Sequence, residues 1–468
     1  MENLLLMNIT KRSIFSHIAK LSQALAVLSV MSLPTLVNAQ SDEVTFHKDI
    51  EPILQRSCQN CHRPGGVGPM PLVSYDEVAP FAGLIEYKTA LRDRAGAMPP
   101  WYMEKDIGIQ DFKFDPSLSD AELAAISTWA RSGTPKGDPA DAPEALAFSD
   151  DLKWTAGQPD LVVSTNDVTK LAGTPDWWGE IDRIAIPIEQ DRYVKSVEIS
   201  EVNDVGTGAD TSDTVGGLFI FHHMIWRTEV LDEEGRVVPG EAVSWPVHEV
   251  GRNGDIFDPD AGPLLKANSA FFTDSVHMHS NGRDTTGHLQ IGFTFHPVGY
   301  EPKYKTGISI MGNGVDISVE GDAKDQELHA YQVLTENTKV ITFEPHLHAP
   351  GERMCLEAIW GYSVETLSCV GYDHNWVRGY PFDDNYTPLL PKGTILHITG
   401  YFDNTTANAN VPDARNWQGS GNRSVTNMFI DLGSRVTMTD EQFVEEMEKR
   451  RTVLNLGPND HVIGCPLC

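Results

Sequence analysis

The chain has 468 residues, with 36 Lys or Arg against 66 Asp or Glu, a formal charge of −30. Such a surface repels nucleic acid and anionic lipid and argues against both as partners. Hydrophobic residues make up 40%, with 39 Gly and 29 Pro; that composition excludes a fibrous or disordered chain and leaves length for about three domains.

In chain order, the first stretch reads as an export signal. Lys11, Arg12 and Lys20 form a basic region, Ala24 to Leu36 an apolar core, and Val37-Asn38-Ala39 a small-residue cleavage site. The expectation is a signal peptide over residues 1–39, cleaved before Gln40. The apolar run is too short for an anchor, and no other stretch is apolar enough to span a bilayer. The mature protein is expected in the periplasm, where disulfides persist.

Residues 44–135 read as a small all-α module. Ile50, Ile53 and Leu54 recur at helical spacing and lead into Cys58-Gln59-Asn60-Cys61-His62. CxxCH is the attachment signature of a c-type haem, with thioethers at Cys58 and Cys61 and His62 as proximal ligand. A CxxC disulfide or half of a zinc site is the plainer alternative. Met98, in Gly-Ala-Met98-Pro-Pro-Trp after an expected helix over Phe81 to Arg94, is the expected second axial ligand. Met70 is its rival. Ser119 with Glu122 predicts a capping box, and Gly133 the end of that helix. The module resembles the cytochrome c domains fused to larger oxidoreductases. Residues 136–153, rich in Pro, Ala, Gly and Asp, read as a linker.

From Trp154 the pattern changes to short alternating runs, among them Tyr193 to Ser200, Leu218 to Leu231, His288 to Phe295, Val340 to Phe343 and Thr394 to Phe402. This predicts two all-β antiparallel, jelly-roll-like sandwiches over 154–300 and 301–436. A helix capped by Thr439 and Gln442 and a Cys465-Pro-Leu-Cys468 tail fill 437–468. Cys355 and Cys369 flank an expected hairpin and predict a disulfide; for Cys465 and Cys468 a disulfide ranks ahead of a metal clasp or a tether.

Histidines cluster in this half. His346-Leu347-His348 follows a strand-like run, and residues two apart on a strand share a face, so the two imidazoles can meet one metal. Phe221-His222-His223-Met224 is less direct, since adjacent residues face opposite sides. For both to reach one ion the strand must bend or bulge, or different ring nitrogens must be used. His277-Met278-His279 and Met428 complete the set. Sulfur beside two imidazoles favours copper(I) over zinc.

The order HH, HxH, HxH, Met resembles the copper type II, ascorbate-dependent monooxygenases, the group that includes peptidylglycine α-hydroxylating and dopamine β-monooxygenases. Tyr372-Asp373-His374-Asn375-Trp376, Leu390-Pro391-Lys392-Gly393-Thr394 and Phe402-Asp403-Asn404-Thr405-Thr406 extend the likeness over roughly residues 155–435. The resemblance implies an electron-transfer copper on His222, His223 and His277, with His279 the alternative third ligand. It implies an oxygen-site copper on His346, His348 and Met428. It implies O2-dependent hydroxylation of a small organic substrate, with electrons from an ascorbate-like reductant or periplasmic redox protein, here passed through the haem. Relatives acting on peptides carry a basic residue two before the HxH; Glu344 stands there instead and disfavours glycine-extended peptides, although a surface acid is almost as good a reading. The rivals are a non-catalytic haem or copper electron carrier and a zinc hydrolase.

Overall fold

Residues 43–64, 66–148, 154–205, 218–251, 254–422 and 426–468 are described in this computed structural model. The expected signal peptide and residues 149–153 of the expected linker lie outside them. Val44–Cys468 forms one compact unit.

The alternating runs pair as antiparallel sheets. Arg192–Asn203, Thr285–Phe295 and Leu161–Ser164 anchor one sheet, and Trp177–Ala185, Ser269–Met278 and Phe221–Val230 another. Their facing apolar residues, including Trp226, Trp245, Phe271 and Phe293, form one core. Further along, Gln326–Val333, Ile395–Phe402, Gly351–Trp360 and Ser363–Gly371 make a four-stranded sheet. Its inner face, with Met354, Leu356, Leu396 and Ile398, packs into a second core with Phe343, Leu347 and Phe429.

The fold expectation needs correction at the N-terminal end. Helix makes up 14% of the chain, and no free-standing all-α cytochrome domain is seen. Short helical segments do occur at Phe46–Ser57, Tyr75–Ala90 and Asp120–Arg131, the last capped by Ser119 and Glu122. The stretch between the last two is extended and sewn to the sheets. Met103 bridges Val370 and Phe112 bridges Phe382. Trp101, Met103 and Ile109 are buried in the second β core. A Cβ at Gly108 would strike the Leu367 carbonyl, and one at Gly371 the Asp93 carbonyl. The physical reason is that Trp101, Met103 and Ile109 find their burial against sheet residues, so although Phe46, Leu54, Ile126 and Trp129 cluster among the helices, the region is not separate from the β unit.

Cys355 and Cys369 sit directly opposite in their strand pair and form a disulfide, as do Cys465 and Cys468. Both fit an oxidising compartment. Among the described residues no helix is long and apolar enough to cross a membrane. The helix Asp440–Val453, capped by Thr439 and Gln442, closes a third apolar cluster through Phe443. Beside it Lys339 is buried between two carboxylates, Asp258 at 2.9 Å and Glu446 at 3.0 Å. Burial raises the Glu446 pKa, but Lys339 and the Tyr304 hydroxyl outweigh it and hold the group at about 2.

Candidate metal centre

A bulge solves the geometric problem of two adjacent histidines. Along Phe221–Val230, His223 pairs with His277 while Phe221 pairs with Met278, leaving His222 as the extra residue. The bulge turns both imidazoles toward one side. His222 Nδ1 and His223 Nδ1 stand 3.1 Å apart. His277, on the neighbouring strand, brings its ring centroid within 4.8 Å of that of His223. Ligand atoms of His222, His223 and His277 all lie within 4.8 Å of one another. His279 lies beside this group, its ring 5.1 Å from His222 and 6.4 Å from His277.

The HxH pair comes in from the second sheet system. Pro345–Leu347 pairs with Phe429–Asp431, Leu347 opposite Phe429 and His346 opposite Ile430. Leu347 and Phe429 go to the core. The pairing ends at Leu347 and Phe429, and Met428 is the residue that follows this register on the partner side, next to Phe429. Ligand atoms of His346, His348 and His223 form a second convergent group within 4.8 Å. His223 therefore belongs to both groups, and its ring lies 5.2 Å from that of His346. The resemblance implied two separate ligand sets; the rings instead make one continuous cluster.

Hydrogen bonds fix which nitrogen of several rings faces inward. His222 Nε2 donates to the His374 carbonyl at 2.9 Å, so its Nδ1 carries the lone pair. His277 Nε2 lies 3.1 Å from Asp176 Oδ2. His346 Nδ1 lies 2.7 Å from Glu249 Oε1, leaving Nε2 for a metal. Glu249 is fully buried, and its backbone lies opposite His223 on the neighbouring strand. Carboxylates behind ligand imidazoles are the usual outer partners of a metal site.

The seven rings of His222, His223, His277, His279, His346, His348 and His374 are each no more than 8% exposed, while Met428 is half-buried. Burial first, then mutual repulsion, lowers the pKa of His222, His223 and His348 far below the ordinary imidazole value. The same causes bring His279 to about 4 and His374 to about 3. Neutral imidazole is the ligating form. Buried Nδ1 of His277, Nε2 of His279 and Nδ1 of His374 find no hydrogen-bond partner. Lone pairs stranded in this way are costly unless a cation takes them, so the donor set fits a metal ion.

At the other motif, Cys58 and Cys61 are unpaired thiols, which removes the CxxC disulfide alternative. His62 Nδ1 bonds the Met70 carbonyl at 2.9 Å, leaving Nε2 as the lone-pair nitrogen. A Cβ at Gly68 would come within 2.6 Å of the His62 ring, so a bare glycine is needed there. Met98 is 39% exposed and lines a 260 Å³ hollow with Thr89, Trp101 and Leu123; His62 is not among the residues lining it. Asn60, Cys61 and Arg63 form one wall of a second hollow of 190 Å³, whose other wall includes Phe219, Phe221, His248 and Trp376.

The span Tyr372 to Arg378 touches the histidine cluster and the extended segment together. The Tyr372 hydroxyl donates to the Leu347 carbonyl, and the His374 carbonyl accepts from His222. The Asp373 carboxylate accepts from Gly96 N at 2.8 Å and the Tyr102 hydroxyl at 3.1 Å. Arg378 donates to the Pro100 carbonyl at 2.7 Å and lies over the Trp101 ring. Glu249 was not singled out in the sequence, and His374 stood only within a family-like segment with no role, because each reaches the cluster over a long separation.

No protein-family model and no curated protein matches the chain. Among solved structures, similarity is found to peptide:N-glycanase F, at 9% identity over 60% of this chain and 96% of that one, with a TM-score of 0.26. The exported protein XepA of PBSX follows at 8% identity over 52% and 87%, TM-score 0.13. The VP2 subviral particle of infectious bursal disease virus follows at 7% over 61% and 74%, TM-score 0.12. Likenesses this low carry no argument about function.

Proposed function

We propose that the protein is an exported copper-dependent monooxygenase of the ascorbate-dependent type, hydroxylating a C–H bond of a small organic substrate with O2. The observation that carries the reading is the convergence of two histidine groups. His222, His223 and His277 would hold one copper, and His346, His348 and Met428 the other. Soft sulfur with imidazole is a copper(I) donor set. Bound copper would supply one-electron chemistry and oxygen activation.

The chain's own residues do the rest. Glu249 holds the His346 ring with Nε2 inward, and Asp176 does the same for the far side of His277. Burial keeps bulk water from the imidazoles, and half-buried Met428 marks the side from which a substrate would approach. Cys58, Cys61 and His62 would hold a c-type haem, an electron store beside the hollow that Phe221 and Trp376 line from the cluster side. Export to the periplasm agrees with the two disulfides. Glu344 is 0% exposed, so it is not a solvated surface acid, and an anionic peptide terminus is not expected to be accepted.

A second reading keeps both metals without catalysis. The tight burial of all seven imidazoles favours it, since an electron carrier needs no open substrate face. Oxygen uptake by copper-loaded protein against a panel of neutral and cationic small molecules separates the two. Substrate-dependent uptake, absent with glycine-extended peptides, is the expected result. Uptake with no substrate in the panel, while the reduced protein still passes electrons to a redox dye, would favour the carrier.

Glu249→Gln is expected to weaken metal binding at the His346/His348 group by about 10–100-fold, as loss of an outer carboxylate partner does. Binding at His222 and His277 should change less. A competition titration with a copper(I) chelator reads the difference.

A further inference from the structure

Two histidines outside the buried cluster meet on the outer face of the four-stranded sheet. His329 and Tyr331 share one face of Gln326–Val333, and His397 and Thr399 share the same face of Ile395–Phe402. The register sets His329 opposite Thr399, Tyr331 opposite His397, and Glu357 of the next strand opposite His397 on its other side. Leu328, Ala330, Leu396 and Ile398 from these same strands face the core, so this group looks outward.

We propose that His329 Nδ1, His397 Nε2 and Thr399 Oγ1 form a separate metal site for a divalent ion of the zinc or copper(II) class. The three atoms make a triangle with sides of 3.0, 3.3 and 3.3 Å. Donors about 2.0–2.1 Å from a common ion stand about 2.9–3.4 Å apart for angles between square and tetrahedral. The triangle therefore has the size of one face of a coordination shell. Two imidazoles with an oxygen suit zinc, copper(II) or nickel rather than magnesium or calcium.

The surroundings fix the rings for this task. Glu357 Oε2 lies 2.7 Å from His397 Nδ1 and accepts its N–H, which leaves Nε2 as the lone-pair nitrogen. Thr366 holds the other oxygen of that carboxylate at 3.2 Å. Tyr331 lies flat on the His397 ring, centroids 4.2 Å apart and planes at 3°. For His329 to ligate through Nδ1, its proton moves to Nε2, and Glu327 Oε2 stands 3.7 Å from that nitrogen. The His329 side chain is 43% exposed and that of His397 11%, so the ion enters past His329, and water fills the open positions. The plainer account is two histidines sharing a hydrogen bond; a threonine oxygen equidistant from both is what it does not require.

The test titrates whole protein with zinc ion against a chromophoric chelator, comparing wild type with His329→Gln and His397→Gln. The buried cluster is common to all three and cancels in the comparison. Wild type is expected to take up one zinc more per chain than either variant. Glu357→Gln should keep that zinc with affinity lower by about 10–100-fold. Equal stoichiometry and affinity in wild type and both histidine variants would overturn the site and leave a hydrogen-bonded pair only. A measurement on wild type alone stands if a variant fails to fold. Zinc should protect His329 and His397 from diethyl pyrocarbonate, and undiminished modification of both at saturating zinc would equally overturn it.

Discussion

Replacing His223 with Ala is expected to strip a direct ligand from the proposed site with His222 and His277 and to disturb the neighbouring one. Its imidazole converges on the group with His222 and His277 and on the group with His346 and His348. A neutral ring has one lone-pair nitrogen, so it donates to one ion and only packs beside the other. Removing a direct ligand should cost more than the about 10–100-fold that follows loss of an outer partner. Metal measured after dialysis should fall by about one ion per chain relative to the loaded wild type. His279→Ala, which removes a ring from beside the cluster, should leave the metal content unchanged. Unchanged metal content and affinity in the His223 variant would mean that His223 is not a ligand.

The second large effect concerns stability. Lys339→Ala leaves Asp258 and Glu446 buried with no cation between them, at side-chain exposures of 5% and 8%. Breaking a buried ion pair from one side costs about 3–5 kcal/mol. Lys339 lies on Asn337–Val340, Asp258 in the loop between Asp255–Ile256 and Leu264–Leu265, and Glu446 on the helix Asp440–Val453. The loss should therefore appear as a lower urea midpoint for the whole compact unit rather than local fraying. The wild type should show the linked acid dependence. Glu446 has its folded pKa depressed from 4.5 to about 2. Its contribution is complete above the unfolded value and lost as pH falls from about 4.5 toward 2. In the Lys339 variant that share of the acid dependence should shrink, because the cation that depresses the pKa is gone. An unchanged midpoint would show that the carboxylates relax to water.

What could be read from the sequence was what depends on neighbours along the chain. Ser119 with Glu122 and Thr439 with Gln442 fixed helix starts through spacing of three, and both boxes are formed. Spacing of two put His346 and His348 on one side, and the need for a bend, a bulge or different ring nitrogens at His222 followed from strand alternation alone. Cys355 and Cys369 face each other because a hairpin brings its two strands into register, here with one bulged residue between the pair and the turn. What escaped was set by contacts between distant residues. Glu249 meets His346 across 97 positions, and His374 meets His222 across 152. The N-terminal error has the same origin. Trp101, Met103 and Ile109 carry no strand-like alternation, and nothing local says that their partners are sheet residues more than two hundred positions away.

Tyr372 to Arg378 has one more consequence. Seven residues of backbone grip the rim of the imidazole cluster with one end and the crossing strap near Pro100 with the other. Such a span behaves as a mechanical linkage. A displacement at either end must drag the other or sever several bonds at once. The strap from Gly96 to Tyr102 and the histidine-bearing strands are thereby geared together, and a shift of the imidazoles at one end would be felt as a tug at the other.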